Sequence, residues 1–225
     1  MRPRAVFVAG AGTEIGKTYV TAALTRRLLS QGRAVLTLKP LASGVPGLDD
    51  PAFALSDTAI LLDAQGIAPT PEAVASCSPW RFSAPLSPDL AAAREGRTLS
   101  LDELVAWCRD RIVAAPPGTT VLIEGVGGLM SPVTDAATGL DWLKALGLPA
   151  LLVSGSYLGA ISHALTGVET LRFHGVPLTG MVVSESPEAP TPPQIVAQAV
   201  ARRIGAPVLC IPRGGVCPET LTALV

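Results

Sequence analysis

The chain has 225 residues, of which 48% are hydrophobic, and a formal net charge of −1. This length and composition favour one sizeable core, so a single domain is expected over residues 1–225. The near-neutral charge argues against a nucleic-acid partner, and no run of about 18 apolar residues is present that would span a membrane. Because residues 1–4 lead directly into the first apolar run, no signal peptide is expected and the predicted location is the cytoplasm.

Apolar runs alternate with helical patterns along the chain. This alternation predicts an α/β fold with a mostly parallel central sheet and helices on both of its faces. Strands are predicted at 5–10, 34–38, 120–124, 150–154, 178–184 and 207–211. Helices are predicted at 17–31, 56–64, 101–114, 139–146, 159–174 and 193–204. Residues 66–98, which are richer in Pro, Ser and Ala, are expected to form an ordered excursion of the kind that often covers a substrate.

The first predicted strand leads into Gly-Ala-Gly-Thr-Glu-Ile-Gly-Lys-Thr at 10–18, and a helical pattern follows. A glycine-rich turn between a strand and a helix directs backbone N–H groups and the positive end of the helix dipole at a phosphate. Lys17 is then placed for the β- and γ-phosphates, and Thr18 for Mg²⁺. Five residues separate Gly10 from Gly16, where the common motif has four, so this is a lengthened phosphate loop. The alternative is a turn that binds nothing, which the order of strand, Gly-Lys-Thr and helix disfavours.

Charged residues follow or end other predicted elements, where the ligands of a doubly wound sheet bind. Lys39 follows the second strand, and its ammonium could neutralise charge at the γ-phosphate. Glu124 ends a central strand and could hold Mg²⁺ opposite Thr18, while Asp57 is a further candidate ligand. The alternatives are a solvated lysine for Lys39, a turn-capping acid for Glu124 and a helix-start residue for Asp57.

These motifs resemble one family, dethiobiotin synthetase, over nearly the whole chain. The matching segments are GAGTEIGKT at 10–18, KPLASG at 39–44, SDTAILL at 56–62, PLSPDLAAAREG at 85–96, EGVGGLMSP at 124–132, LGLPALLV at 146–153 and LGAISHALTGVETL at 158–171. The resemblance implies a P-loop NTPase-like fold and an ATP-dependent ligase of biotin biosynthesis. In that reaction 7,8-diaminononanoate and CO₂ form a carbamate, which attacks the γ-phosphate of MgATP. The second amine then closes the ureido ring of dethiobiotin and releases phosphate.

The resemblance also implies roles for individual residues. It assigns Mg²⁺ to Thr18, Asp57 and Glu124, and catalysis to Lys39, Lys17 and Thr13. It assigns the nucleotide to Gly12, Thr13, Glu14, Ile15, Gly16, Lys17, Thr18, Tyr19 and the aligned Ser184, and we add Pro212, Arg213 and Gly214 as further candidates for the nucleotide. It assigns the substrate to Ser43 and Gly127 and, because the family is a homodimer, the substrate tail to a helix start of the other subunit, here Leu158, Gly159, Ala160 and Ser162.

The sequence departs from the family pattern at several of these places. Ser184 replaces an amide residue that contacts adenine, and Ser162 replaces an Asn at the tail helix. Gly12 replaces an acid in the loop, and Tyr157 replaces a basic residue before Leu-Gly. We therefore expect backbone groups at 212–215 to contact the base, and discrimination among nucleoside triphosphates to be weak.

Two other functions share this nucleotide architecture. An amidating synthetase of the cobyrinic acid type would need a glutamine-hydrolysing domain, for which this length leaves no room. A partition-type ATPase switch would carry a second loop lysine at position 12, where this sequence has Gly12. Turnover stimulated by the diamine and bicarbonate would separate the enzyme from the switch.

Overall fold

The centre of the structure, a computed structural model that describes residues 3–215 and 217–225, is a six-stranded sheet. The strands in chain order are β1 (Arg4–Gly10), β2 (Val35–Leu38), β3 (Leu41–Ser43), β4 (Trp80–Phe82), β5 (Thr120–Glu124), β6 (Ala150–Ser154), β7 (Leu178–Ser184) and β8 (Val208–Ile211). The main sheet has the order β2-β5-β1-β6-β7-β8, and all of its pairings are parallel. The predicted α/β fold is confirmed.

Helices connect these strands. They are α1 (Lys17–Ser30), α2 (Asp57–Ala64), α3 (Pro71–Cys77), α4 (Pro88–Arg94), α5 (Leu101–Ala114), α6 (Gly139–Leu146), α7 (Ala160–Phe173) and α8 (Pro193–Ala201), with 3₁₀ helices at Pro51–Leu55 and Glu219–Leu224. Five of the six predicted helices agree to within one residue at each end. The sixth, α8, ends three residues before its predicted end, because the chain turns ahead of Gly205 and Pro207 to enter β8. No helix in the described ranges is long and apolar enough to cross a membrane.

The excursion at 66–98 has more regular structure than the sequence analysis predicted. It contains α3, β4 and α4, and β4 pairs in parallel with β3 to form a second, two-stranded sheet. The segment at 39–44, predicted only as the continuation after a strand, contains β3. Strands of three residues are too short to show an alternating pattern, so nothing in the sequence distinguished them from loops.

The main sheet is packed on both faces. Val6 and Val8 of β1 belong to a cluster with α1, whereas Phe7 and Ala9 point to the opposite face and pack with α5, α6, α7 and α8. Trp142 of α6 is fully buried against Phe7, with ring centroids 4.9 Å apart and edge to face. The strand order reverses beside β1, so the turn after β1 lies at the switch point where ligands of such sheets bind.

Candidate active site

The turn between β1 and α1 is a tightly wrapped loop. A Cβ added to Gly10 would lie 2.8 Å from the carbonyl oxygens of both Gly12 and Gly127, so only glycine fits there. Gly16, the residue before α1, has φ +90°, and Glu14 has φ +55°, a conformation that costs a non-glycine residue about 1 kcal/mol or more. Such backbone strain concentrates at functional sites.

Lys17 lies inside this loop. Its side chain is buried, and Nζ donates a hydrogen bond of 3.0 Å to the carbonyl of Gly12. Burial, and secondarily the nearby ammonium of Lys39, lowers the pKa of Lys17 from 10.5 to about 8. The loop therefore holds a poorly solvated cation where a phosphate would supply a better partner.

Four side chains converge at the start of α1. Thr18 Oγ1 lies 2.8 Å from Asp57 Oδ1 and 2.7 Å from Glu124 Oε1. Lys39 Nζ lies 2.7 Å from Asp57 Oδ2 and 2.7 Å from Glu124 Oε1, and also donates to the carbonyl of Gly125 at 3.1 Å. The structure thus brings together residues from the start of α1, the position after β2, the start of α2 and the end of β5.

The charges of this cluster support one another. Burial alone would lower the pKa of Lys39, but the carboxylates of Glu124 and Asp57 outweigh it and raise that pKa above its usual value. Burial would likewise raise the pKa of Asp57, but the Lys39 ammonium and the Thr18 hydroxyl hold it below its usual range. Lys39 is only 2% exposed and Glu124 is not exposed at all, so these charges are screened little by water.

The donor set fits a small divalent cation. Within the described residues, Glu124 Oε2 is buried and has no hydrogen-bond partner. Carboxylate and hydroxyl oxygens are the ligands that Mg²⁺ accepts, with phosphate oxygens and water completing its shell. The same part of the chain contains no group of three or more His, Cys, Asp or Glu side chains that would hold a metal alone. A metal at this site would accordingly rely on a nucleotide for further ligands.

A cleft of about 600 Å³ opens beside this cluster. It includes most of the residues assigned to nucleotide, metal and reacting groups by the family resemblance. The excursion supplies one wall through Pro85, Leu86, Ser87 and Pro88. Residues of the predicted site that line the cleft are Thr13, Glu14, Ile15, Gly16, Lys17, Thr18, Lys39, Ser43, Asp57 and Gly127.

A second group of predicted nucleotide residues lies beside the start of α1. The Tyr19 hydroxyl donates to the carbonyl of Pro212 at 2.9 Å, which fixes the segment after β8 next to the loop. The backbone N–H of Arg213 donates to Glu185 Oε2 at 2.8 Å. Ser184 is buried with its hydroxyl against Gly16, so that an added Cβ on Gly16 would overlap it. The sequence assigned no role to Glu185, although the segment 184–187 stands directly after a predicted strand, where ligands of such sheets bind.

The predicted substrate-tail segment does not join the cleft of its own chain. Leu158 is 88% exposed, and Ser162 lines a separate groove together with Met130 and Phe173. Gly159, with φ +96°, precedes α7, and Ala160 is buried at the helix start.

Comparison with known proteins identifies the family. A family model described as an AAA domain matches residues 4–213. An ATP-dependent dethiobiotin synthetase, BioD, of Methylobacterium nodulans is 69% identical over 213 residues, which are 95% of this chain and 95% of that protein. The chain belongs to the dethiobiotin synthetase family. Other dethiobiotin synthetases are similar too: that of Caulobacter vibrioides is 46% identical over 94% of each chain, and that of Acidiphilium cryptum is 44% identical over 89% of this chain and 88% of its own.

Solved structures agree on the fold of this dethiobiotin synthetase family member. Chloroplast FtsY from Physcomitrella patens matches with a TM-score of 0.54 at 17% identity, covering 100% of this chain and 66% of that one. A ParA family ATPase from Chlorobium tepidum matches with a TM-score of 0.52 at 16% identity, covering 98% and 88%. At these identities the likeness concerns the fold alone, and it confirms the P-loop NTPase-like architecture.

Proposed function

We propose that this chain is an ATP-dependent dethiobiotin synthetase. It carboxylates 7,8-diaminononanoate with CO₂ and closes the ureido ring, and it releases ADP and phosphate in the course of biotin biosynthesis. The observation that carries this proposal is that Lys17, Thr18, Lys39 and Asp57 line one cleft beside the phosphate loop, while the buried Glu124 contacts Thr18 and Lys39. The 69% identity to a named dethiobiotin synthetase supports the same reaction.

The loop residues Gly12 to Tyr19 bind the triphosphate in this proposal, and Thr18, Asp57 and Glu124 hold Mg²⁺. When bound there, the ion neutralises charge on the phosphate oxygens. With Asp57 and Glu124 engaged in holding such an ion, the ammonium of Lys39 would be available to the γ-phosphate. The nucleotide base is bound by Ser184, Pro212, Arg213 and Gly214 in this proposal. Tyr19 holds the segment at Pro212 beside the loop.

The chemistry proceeds in three steps: carbamate formation, phosphoryl transfer and ring closure. One amine of the substrate combines with CO₂ to a carbamate, whose oxygen attacks the γ-phosphorus and displaces ADP. The second amine then attacks the carbamoyl carbon of the mixed anhydride, and phosphate leaves. Lys17 and Lys39 stabilise the transferring phosphoryl group, while Thr13, Ser43 and the backbone at Gly127 line the space for the diamine end.

The exposed segment at Leu158, Gly159, Ala160 and Ser162 suits a role outside its own cleft. We propose a homodimer in which this helix start receives the carboxylate tail of the substrate held by the second copy. Anchoring the tail at a distance holds the diamine end at the γ-phosphate. We also propose that residues 1–225 form a single domain and that the enzyme acts in the cytoplasm.

The test is direct assay of the product. Protein, MgATP, 7,8-diaminononanoate and ¹³C-bicarbonate should yield dethiobiotin one mass unit heavier than the unlabelled compound. Omission of the diamine should also reduce phosphate release. Phosphate release that is indifferent to the diamine, with no dethiobiotin formed, would favour the ATPase switch instead. Replacement of ATP by GTP or CTP tests the expected weak base discrimination, which a strict ATP preference would contradict.

A further inference from the structure

Lys39 is fixed at its main chain as well as at its ammonium. Its backbone N–H donates to the carbonyl of Cys77 at 3.0 Å, and the next carbonyl, that of Pro40, accepts from the N–H of Trp80 at 3.1 Å. Between these two bonds, the Lys39 carbonyl accepts a hydrogen bond from the hydroxyl of Ser78. Three residues of the excursion, Cys77, Ser78 and Trp80, therefore hydrogen-bond to the main chain directly after β2.

A second hydroxyl completes this arrangement. The hydroxyl of Thr58 donates to Ser78 Oγ at 3.0 Å, and both side chains are fully buried. Thr58 directly follows Asp57 in the first turn of α2. Neighbouring residues of one helix therefore hold Lys39 at both ends: Asp57 binds its ammonium, and Thr58 reaches its main chain through Ser78.

We propose that Thr58 and Ser78 are positioning residues for Lys39. The inference rests on the proposed function. In the proposed reaction the ammonium of Lys39 serves the transferring phosphoryl group, and how far it reaches depends on where its main chain is held. A lysine stem has four rotatable bonds, so a displaced Cα puts the ammonium out of place at the moment of transfer. A misplacement of about 1 Å can cost up to a hundredfold in rate.

A matched control lies elsewhere in the same fold. Thr25 of α1 and Thr37 of β2 are also fully buried, and their hydroxyl oxygens are 2.7 Å apart. This pair joins a helix to a strand as Thr58 and Ser78 join α2 to the excursion. Thr25 makes no hydrogen bond to Lys39, so Thr25→Val removes a similar buried hydroxyl that contacts β2 two residues before Lys39, while the hydrogen bonds of Lys39 itself stay in place.

The experiment compares Thr58→Val, Thr58→Ser and Thr25→Val by urea unfolding and by kcat and KM for dethiobiotin formation. Thr58→Val should lower kcat about tenfold or more while KM for ATP stays within about twofold. Thr58→Ser keeps the hydroxyl and should stay within about threefold of the wild-type kcat, as should Thr25→Val. A kcat of Thr58→Val no lower than that of Thr25→Val, or a Thr58→Ser variant as slow as Thr58→Val, overturns the inference.

Ser78→Ala provides a second route if Thr58→Val fails to fold. It removes the hydroxyl that contacts Lys39 directly and should lower kcat at least as much. In a soluble double variant the two losses should not add, because both act through one contact. If the wild-type protein forms no dethiobiotin but releases phosphate from MgATP, the proposed reaction is refuted, and the same comparison of variants by the rate of phosphate release tests the positioning of Lys39 separately.

Discussion

Replacement of Lys17 and of Lys39 by methionine should change the stability of the nucleotide-free protein in opposite directions. Methionine keeps an unbranched stem of similar length and removes the charge together with the hydrogen-bond donors of the ammonium. Lys17 has a backbone carbonyl as its hydrogen-bond partner, whereas Lys39 is held by two carboxylates. The first ammonium is therefore a cost to folding, and the second is a necessary counter-charge.

The sizes follow from the two environments. The pKa of Lys17 falls from 10.5 to about 8, and at 1.36 kcal/mol for each pKa unit its charge costs about 3 kcal/mol at neutral pH. Lys17→Met should recover part of this, a gain of about 1–3 kcal/mol. Loss of the Lys39 charge leaves the unexposed Glu124 without its cation and should cost about 3 kcal/mol or more.

The pH dependence of unfolding provides a second test of whether Lys17→Met stabilises the protein. Between pH 8 and 10.5 the unfolded chain binds the Lys17 proton more tightly than the folded one, so the stability of the wild type rises over this range. The variant has no such group. Its advantage over the wild type should therefore be complete below pH 8 and vanish by about pH 10.5.

Urea unfolding followed by tryptophan fluorescence, in EDTA at pH 7 and again at pH 9.5, measures these differences. Both variants should lose at least about a hundredfold in dethiobiotin formation, since each removes charge stabilisation of the transferring group. If Lys17→Met destabilises the protein at pH 7 as much as Lys39→Met does, the reasoning from desolvation is refuted.

Three further substitutions test other parts of the site. Glu124→Gln should raise the Mg²⁺ concentration for half-maximal turnover about tenfold or more, whereas the surface variant Asp63→Asn should leave it unchanged. Equal Mg²⁺ requirements of the two variants would show that Glu124 is not a ligand of the metal. Gly10→Ala should lower the free energy of unfolding by about 1–3 kcal/mol and abolish most of the activity, because the added Cβ lies 2.8 Å from two carbonyl oxygens. Gly47→Ala, whose added Cβ has no atom within 4 Å, should change neither the stability nor the activity. Tyr19→Phe loses the bond to the segment after β8 and should raise KM for ATP about fivefold with kcat unchanged; a fall in kcat alone would contradict this role.

Local patterns were sufficient to predict where the glycine-rich loop and Glu124 lie in the fold. Each lies directly after or at the end of a long apolar strand, and strand ends on one edge of a parallel sheet meet. Asp57 was equally readable as a helix-start residue, and only the family resemblance favoured it. Its 2.7 Å contact with Lys39 depends on how α2 packs after β3, which no local pattern specifies.

The support of Lys39 by Ser78 was not predictable for a related reason. Thirty-nine residues separate the two partners. Lys39 lies just before β3 and Ser78 just before β4, and each of these paired strands has only three residues. A buried serine in a Pro-rich stretch carries no periodic signal. For the tail segment at Leu158, the sequence resemblance suggested a role that the structure of a single chain does not test, because the proposed role involves a second copy of the chain.

The position of β1 affects when the protein becomes able to hold a nucleotide. β1 is made first, yet its neighbours are β5 and β6, and the N–H of Leu129 caps the carbonyl of Gly10. Until about residue 124 has left the ribosome, the strand that carries the phosphate loop has neither partner, and until about residue 154 it can pair with β5 alone. A nascent chain should thus remain unable to sequester ATP for more than half of its synthesis, and the nucleotide should act as a ligand of the late, assembled sheet.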